Sequence, residues 1–198
     1  SEYLRTKAEG ESRAIHAFSR TTILRPGVVF GPEDDFFNKF AGMERLYPFM
    51  PLIGGGKTRL QPVYVGDIAK AVYNIMADPE CDRHGGHIYE LGGPATYTLR
   101  ELMELTGKHT GRKKCLMPLP FGVAKMAGAA STLCSSIFSC KPALTVDQVN
   151  SLKRDSILQP GSPGLKDLGV TATGLEAILP TYLARFKQGG RFGSVSNG

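Results

Sequence analysis

The chain has 198 residues, enough to bury a substantial core, and its 41% hydrophobic and 21% charged residues are the balance of an ordinary globular domain. This balance excludes a disordered or collagen-like chain. The 24 basic and 18 acidic residues give a net charge of +6, but the basic residues are scattered, so no nucleic-acid partner is predicted.

In chain order, helical and extended segments alternate. Apolar residues at helical spacing indicate the helical segments, and runs of β-branched or aromatic residues indicate the extended segments. Helices are predicted over residues 3–18, 36–46, 68–76, 99–109, 121–131, 145–153 and 174–186, and extended segments over 21–30, 60–67, 87–91 and 115–119. Asp67, Thr98 and Thr145 are expected to be helix N-caps. This order predicts part of an α/β sheet followed by a smaller, mostly helical lobe.

Two helix faces and one loop are predicted in more detail. In the first helix, one face carries Tyr3, Lys7, Glu11 and Ala14, and the residues expected to pack inward are Leu4, Ala8, Ile15 and Phe18. In the third, Ala69, Val72, Tyr73 and Met76 form an apolar stripe. Residues 48–56, rich in proline and glycine, are expected to form a loop that could lie over a ligand.

Tyr3 and Lys7 stand four residues apart, so the polar ends of their side chains can reach a common ligand. An alcohol or carbonyl redox site needs this arrangement, because an ammonium beside a phenol favours the phenolate while its other donors bind ribose hydroxyls. The spacing alone is a weak signal, since an exposed amphipathic helix also explains it. Residues 26–32 strengthen it, because their small and fixed-φ residues allow backbone to approach a planar ring.

Neither a metal site nor a membrane span is predicted. Cys81, His84 and His87 form a compact cluster, but a closed zinc site usually needs four ligands and no fourth follows in the sequence, so we interpret the cluster as a polar turn. The four cysteines lack paired spacing, which is typical of a reducing compartment. The longest weakly polar stretch, residues 121–137, falls short of the roughly 20 apolar residues that a spanning helix needs.

The Tyr3–Lys7 helix, residues 26–32 and residues 61–69 follow one another in an order that resembles the extended and atypical short-chain dehydrogenase/reductase superfamily. The resemblance implies the C-terminal part of a Rossmann-like, doubly wound sheet with a smaller, mostly helical substrate-side lobe. It implies that Tyr3 and Lys7 are a catalytic pair, vestigial if no turnover occurs, and that they contact the nicotinamide and its ribose. The residues implied to wall the ring are Pro26, Gly27, Val28 and Val29. The implied cofactor is NADPH, or NADP or NAD, with no metal.

Later segments narrow the resemblance. Residues 89–94, 97–102, 117–121 and 144–149 are similar to the NAD(P)-binding accessory subunit of mitochondrial respiratory complex I and its bacterial epimerase-like relatives. This implies a mainly structural cofactor, other complex I subunits as partners, and a location on the matrix side of the inner membrane with peripheral membrane contact. The alternative is an active NAD(P)-dependent epimerase, dehydratase or reductase on a nucleotide sugar or related carbonyl, which in a bacterium would be cytoplasmic.

The superfamily's GxGxxG turn does not occur in this sequence, and the resemblance implies that an N-terminal half carries it, upstream or in another chain. We therefore expect residues 1–187 to be the C-terminal portion of one dinucleotide-binding domain. Residues 1–47 and 60–77 would lie on the Rossmann side, residues 48–59 and 78–187 in the substrate-side lobe, and residues 188–198 in a flexible tail.

Overall fold

The computed structural model describes residues 2–112, 114–138 and 145–187, so the predicted tail lies outside the described residues. Its α-helices are α1 (Glu2–Ala17), α2 (Phe36–Leu46), α3 (Val65–Ala77), α4 (Leu99–Thr110), α5 (Phe121–Phe138), α6 (Val146–Ser151) and α7 (Leu175–Leu183). Its strands are β1 (Ile23–Pro26), β2 (Val29–Phe30), β3 (Phe49–Ile53), β4 (Arg59–Leu60), β5 (Val63–Tyr64), β6 (Ile88–Leu91), β7 (Tyr97–Thr98) and β8 (Cys115–Leu119). The predicted α/β class is confirmed, and α5 is longer than predicted.

Among the described residues, three of the four strand pairs are parallel: β1 with β6, β2 with β5 and β3 with β8, whereas β4 and β7 are antiparallel. The predicted extended run 21–30 forms two strands because it changes partner at Gly27. The N–H of Gly27 donates to the carbonyl of Leu91 in β6, and the carbonyl of Val28 accepts from the N–H of Val63 in β5, both at 2.9 Å. The division into Rossmann-side and substrate-side segments stays a prediction.

The prediction of a loop over residues 48–56 is wrong for most of its length. Phe49–Ile53 is strand β3, in register with β8 from Phe49 opposite Cys115 to Ile53 opposite Leu119. Met50 and Leu52 are fully buried, so the side-chain alternation of a strand holds despite the proline between them. Gly54–Gly56 forms a tight turn after the strand.

Among the described residues, the two largest buried clusters hold many of these elements together. The larger lies among α2, α4, α7 and strands β2 to β4, and its fully buried members include Phe30, Phe37, Met50, Leu52, Leu102, Leu179 and Leu183. The smaller packs α3 against β5 and β6 and contains Val63, Ala71, Tyr89, Leu91, Leu165, Leu168 and Val170. In both clusters helices pack against strands, as in layered α/β folds.

The carboxylate of Asp34 joins three parts of the chain. It accepts the N–H groups of Phe37 at 2.6 Å and Asn38 at 3.2 Å, which open α2, and the N–H of Gly31 at 3.2 Å. It also accepts the hydroxyl of Tyr182 in α7 at 2.5 Å. Burial of Tyr182, reinforced by this carboxylate, raises the pKa of the phenol. The bend after β2 is thereby tied to α7.

The prediction that Asp67 caps the third helix is wrong. Helix α3 begins two residues earlier, at Val65, and the carboxylate of Asp67 is buried. It accepts the N–H of Thr173 at 2.6 Å and the hydroxyl of the same residue at 2.9 Å, so it anchors the segment before α7. The caps predicted at Thr98 and Thr145 are confirmed, each as a reciprocal capping box.

The expected inward packing of α1 is also wrong within the described part of the chain. None of the residues Glu2–Ala17 is buried there, and Leu4, Ile15 and Phe18 are exposed to 50%, 38% and 62%. The apolar stripe of α3 is equally open, with Val72, Tyr73 and Met76 exposed. Within the described residues, no helix has the length and apolar character needed to cross a membrane.

Candidate cofactor site

Tyr3 and Lys7 lie on one face of α1, as their spacing predicts. The ammonium nitrogen of Lys7 lies 5.7 Å from the centroid of the Tyr3 ring, within the range of a cation–π contact. The phenol is 58% exposed and Lys7 is also exposed. The structure thus brings the two side chains together and leaves both polar ends accessible to a ligand.

Glu11 continues this face and ties α1 to β1. The Nε of Arg25 donates to both carboxylate oxygens of Glu11 at 3.1 Å, and its Nη2 donates to one of them at 2.6 Å. This bidentate contact lowers the pKa of Glu11 and raises that of Arg25. The sequence placed Glu11 on the face of Tyr3 and gave it no role, because helical spacing cannot identify a partner on the next strand.

The predicted ring wall lies where β1 gives way to β2. Pro26 ends β1, Val29 begins β2, and Gly27 and Val28 connect them. A Cβ added to Gly27 would lie 2.8 Å from the carbonyl oxygen of Gln61, which is closer than side chains pack. Glycine is therefore required for the close approach of these two backbones.

A cavity of about 160 Å³ adjoins the wall, at the carboxyl ends of the parallel strands β1 and β6. It is lined by Arg25, Pro26, Gly27, Gln61, Glu90, Ser156, Ile157 and Leu158. Ligands of open α/β sheets bind at this edge of the sheet. The volume is below the roughly 300–1,000 Å³ of pockets for drug-sized ligands, so the cavity accommodates part of a dinucleotide at most.

Internal hydrogen bonds orient the polar side chains of the cavity. The amide nitrogen of Gln61 donates to the carbonyl of Gly93 at 2.8 Å, and the amide oxygen accepts the N–H of Leu158 at 3.1 Å. The carboxylate of Glu90 accepts the N–H of Gln159 at 2.9 Å. The cavity walls are therefore fixed before a ligand arrives, which lowers the entropic cost of binding.

The pair Tyr3 and Lys7, here called the dyad, and the predicted ring wall do not share one pocket in the part of the chain that the structure describes. Arg25 links them, because it lines the cavity and binds Glu11 on the dyad face. Tyr3 and Lys7 do not line the cavity. Their assignment, with that of the wall, stays a prediction.

In the cluster of Cys81, His84 and His87, the central histidine has a structural role. Both ring nitrogens of the buried His84 are engaged, one 2.8 Å from the hydroxyl of Tyr89 and the other 3.2 Å from the carboxylate of Asp78. His87 lies 3.2 Å from the carbonyl of Gly85. Among the described residues, no three side chains are grouped to hold a metal ion.

The fold is similar to those of a dTDP-glucose 4,6-dehydratase and a UDP-glucose 4-epimerase. The dTDP-glucose 4,6-dehydratase of Streptomyces venezuelae, solved with NAD and TYD bound, matches with a TM-score of 0.56 and 17% identity over 86% of this chain and 45% of that chain. The UDP-glucose 4-epimerase of Thermotoga maritima, solved with UDP-glucose, matches with a TM-score of 0.53 and 20% identity over 81% of this chain and 43% of that chain. At these identities the likeness is one of fold.

The relatives found by sequence identity indicate a narrower group of proteins than the likeness in fold does. NADH dehydrogenase (ubiquinone) 1 alpha subcomplex subunit 9, mitochondrial, is 33% identical in Arabidopsis thaliana over 98% of this chain and 49% of the relative. The Mus musculus protein of that name is 37% identical over 89% of this chain and 45% of the relative. No protein-family model matches the chain. The chain is similar to these mitochondrial subunits over most of its own length, and it spans about half the length of the curated relatives it matches.

Proposed function

We propose that the protein is an accessory subunit of respiratory complex I that binds a nicotinamide dinucleotide with a mainly structural role. The observation that carries this proposal is the 33% identity to a subunit 9 protein over 98% of the chain. Its partners would be the other subunits of complex I, and its location the matrix side of the mitochondrial inner membrane, with peripheral membrane contact. An active epimerase, dehydratase or reductase is not favoured by these relatives.

The residues of the site fit the nicotinamide end of NADPH, or of NADP or NAD. The phenol of Tyr3 and the ammonium of Lys7 stand together on one face and supply hydrogen-bond donors for ribose hydroxyls. Gly27 lets the backbone at residues 26–29 approach a planar ring, because it adds no side chain. A bound nicotinamide supplies hydride chemistry in this class of fold, whereas in the proposed subunit these residues hold the cofactor in place.

We propose that an N-terminal half with a GxGxxG turn, upstream or in another chain, completes the site. The open apolar face of α1 supports this, since Phe18 is 62% exposed and Leu4 is 50% exposed. Large exposed apolar surfaces on globular proteins mark contact with another surface. The absence of the pyrophosphate-binding turn from this sequence means that the present chain alone would bind dinucleotide poorly.

The test is to purify the intact protein, extract its nucleotide and quantify it. We expect NADPH to remain bound through gel filtration, and we expect Tyr3→Phe to leave NADH:ubiquinone oxidoreductase activity of the assembled complex nearly normal. The reason is that a structural cofactor does not need the phenol proton. Tyr73→Phe, on the exposed face of α3, is the matched control. Rapid nucleotide exchange together with substrate-dependent hydride transfer would instead establish the enzymatic alternative.

A further inference from the structure

A bidentate ion pair joins the middle of helix α1 to strand β1. The Nε of Arg25 donates to both carboxylate oxygens of Glu11 at 3.1 Å, and its Nη2 donates to Oε2 at 2.6 Å. Charge-assisted hydrogen bonds in this forked geometry fix the orientation of the two side chains as well as contributing energy. Glu11 lies in the interior of α1 and Arg25 within β1, so the pair fixes the body of the helix relative to the strand.

The dyad lies on the same face of α1 as Glu11, because Tyr3, Lys7 and Glu11 stand at intervals of four residues. The helical rise places Tyr3 about 21 Å and Glu11 about 9 Å from the end of α1 at Ala17. Because the helix moves as a rigid rod, a tilt about this end shifts Tyr3 roughly twice as far as Glu11. A contact that restrains Glu11 therefore restrains the dyad.

Hydrogen bonds close the turn between α1 and β1. The hydroxyl of Thr21 donates to the carbonyl oxygens of Phe18 at 2.6 Å and Ala14 at 3.3 Å. The hydroxyl of Thr22 donates to the carbonyl oxygen of His84 at 2.7 Å, which holds the chain just before β1. These bonds fix the end of the helix, and the ion pair fixes its tilt relative to β1.

Arg25 belongs to the cavity side of the pair. It lines the cavity beside Pro26 and Gly27 of the predicted ring wall, and it lies opposite Glu90 in the parallel register of β1 and β6. Hydrogen bonding to Glu11 and, to a smaller extent, the charge of Glu90 raise the pKa of Arg25, so the guanidinium keeps its charge. One end of the ion pair is therefore fixed to the wall and the other to the dyad helix.

We propose that Glu11 is a positioning residue: through Arg25 it sets the tilt of α1, and with it the placement of Tyr3 and Lys7 relative to the ring wall. Among the residues that the structure describes, Glu11 is not part of the cavity lining, so it acts through the helix. Binding groups need to lie within about 0.5 Å of their productive geometry, so a small change in tilt is enough to weaken their contacts. This inference rests on the proposed function for its consequence in binding, whereas the restraint of α1 is measurable without any nucleotide.

The binding test compares Glu11→Ala with Glu9→Ala in the intact purified protein. Glu9 is the matched control because its carboxylate pairs within α1, with Arg13 at 2.6 Å and Arg5 at 3.5 Å. The ligands are NADPH and adenosine 2′,5′-bisphosphate, which lacks the nicotinamide and its ribose. Glu11→Ala is expected to raise the Kd of NADPH about fivefold, the upper end for a partly exposed ion pair, and to leave the Kd of the fragment unchanged. Glu9→Ala is expected to change neither.

A double-mutant cycle tests whether Glu11 acts through Arg25. In an Arg25→Ala background, Glu11→Ala is expected to change the Kd of NADPH by less than about twofold, because the bond that it removes is already absent. Glu11→Gln keeps an acceptor oxygen for Arg25 but loses the charge, so it is expected to raise the Kd of NADPH by an intermediate factor of about two.

Hydrogen exchange in nucleotide-free protein measures the restraint itself. Glu11→Ala is expected to speed exchange of the α1 amides about fivefold, since the helix opens more readily without its bond to β1. Glu9→Ala makes the same change of side chain in the same helix and is expected to leave exchange unchanged.

The proposal is overturned if exchange in α1 is unchanged in Glu11→Ala, or if NADPH and the fragment lose affinity equally. It is also overturned if Glu11→Ala keeps its full effect in the Arg25→Ala background. If the wild-type protein binds no NADPH, the proposed function fails, and the exchange measurement still decides whether Glu11 restrains α1.

Discussion

Gly27 makes the predicted ring wall sensitive to a single added carbon. We expect Gly27→Ala to lower the free energy of unfolding by about 1–3 kcal/mol, because the new Cβ would lie 2.8 Å from the carbonyl oxygen of Gln61. The atom it meets is backbone, so it cannot rotate away and the wall must shift. Urea unfolding of the intact protein measures the change.

Gly42→Ala is the control, because no heavy atom lies within 4 Å of its added Cβ and it lies in α2. Alanine favours a helix, so this variant is expected to be neutral or stabilised by up to about 1 kcal/mol. Equal unfolding midpoints for the two variants would contradict the close approach at Gly27.

At the residue scale, local chemistry was predictable from the sequence and distant partners were not. The shared face of Tyr3 and Lys7 follows from helical spacing and is confirmed by their 5.7 Å contact. The bond between Glu11 and Arg25 depends on which elements the fold brings together. The wrong assignment of Asp67 has the same cause, because its partner Thr173 is 106 positions away.

The junction of α2 and α4 contains a carboxyl group within its packed surface. Glu44 is 2% exposed, and its Oε2 accepts the hydroxyl of Thr110 at 2.8 Å. Burial raises the pKa of Glu44, and the hydrogen bond from Thr110 and the charges of Arg112 and Lys114 counteract part of that effect. The stability of the contact between α2 and α4 is therefore expected to depend on pH.

We expect Glu44→Gln to gain stability relative to wild type as the pH rises. The folded-state pKa lies above the unfolded value of about 4.3, so the contribution of Glu44 is fully present below that value and is lost as pH rises through the folded pKa. Urea midpoints of both proteins at acidic and neutral pH measure the difference. Glu104→Gln, at an exposed position of α4, is the control. A difference between wild type and Glu44→Gln that is constant with pH would contradict this account.

At the element scale, helices were more predictable than strands. The limits of α2 were predicted at both ends, and Thr98 correctly marked the start of α4, since capping residues act locally. Strand β3 was missed because two prolines in and beside it favour a loop when read locally. Its pairing with β8 depends on a segment more than sixty positions later.

In the part of the chain that the structure describes, α1 presents an open face. We expect Phe18→Ser to destabilise the intact protein by about 1.5–3 kcal/mol, the value of burying a phenylalanine side chain, if an N-terminal half covers this face. In the present chain alone, where Phe18 is 62% exposed, the same change is expected to cost less than about 0.5 kcal/mol. Thermal or urea unfolding of both forms measures the contrast. Equal small effects in the two forms would show that α1 faces solvent in the intact protein too.

At the scale of the molecule, the α/β class was predictable from the alternation of helical and extended segments, and the likeness in fold to a dehydratase and an epimerase agrees with the resemblance of the sequence motifs. The open faces of α1 and α3 were not, since amphipathic spacing identifies an apolar face without identifying what covers it. For that reason Leu4, Ile15 and Phe18 were expected to pack inward, and they do not.

The carboxylate of Asp34 couples two parts of the chain that are distant in the sequence. It bonds to the bend beyond β2 and to the hydroxyl of Tyr182, 148 positions later. The stability of this bend therefore depends partly on α7, which carries Tyr182. A truncation or splice variant that removes α7 would leave this carboxylate without its hydroxyl donor. The damage would then extend to Gly31 at the exit of β2, far from α7 in the sequence.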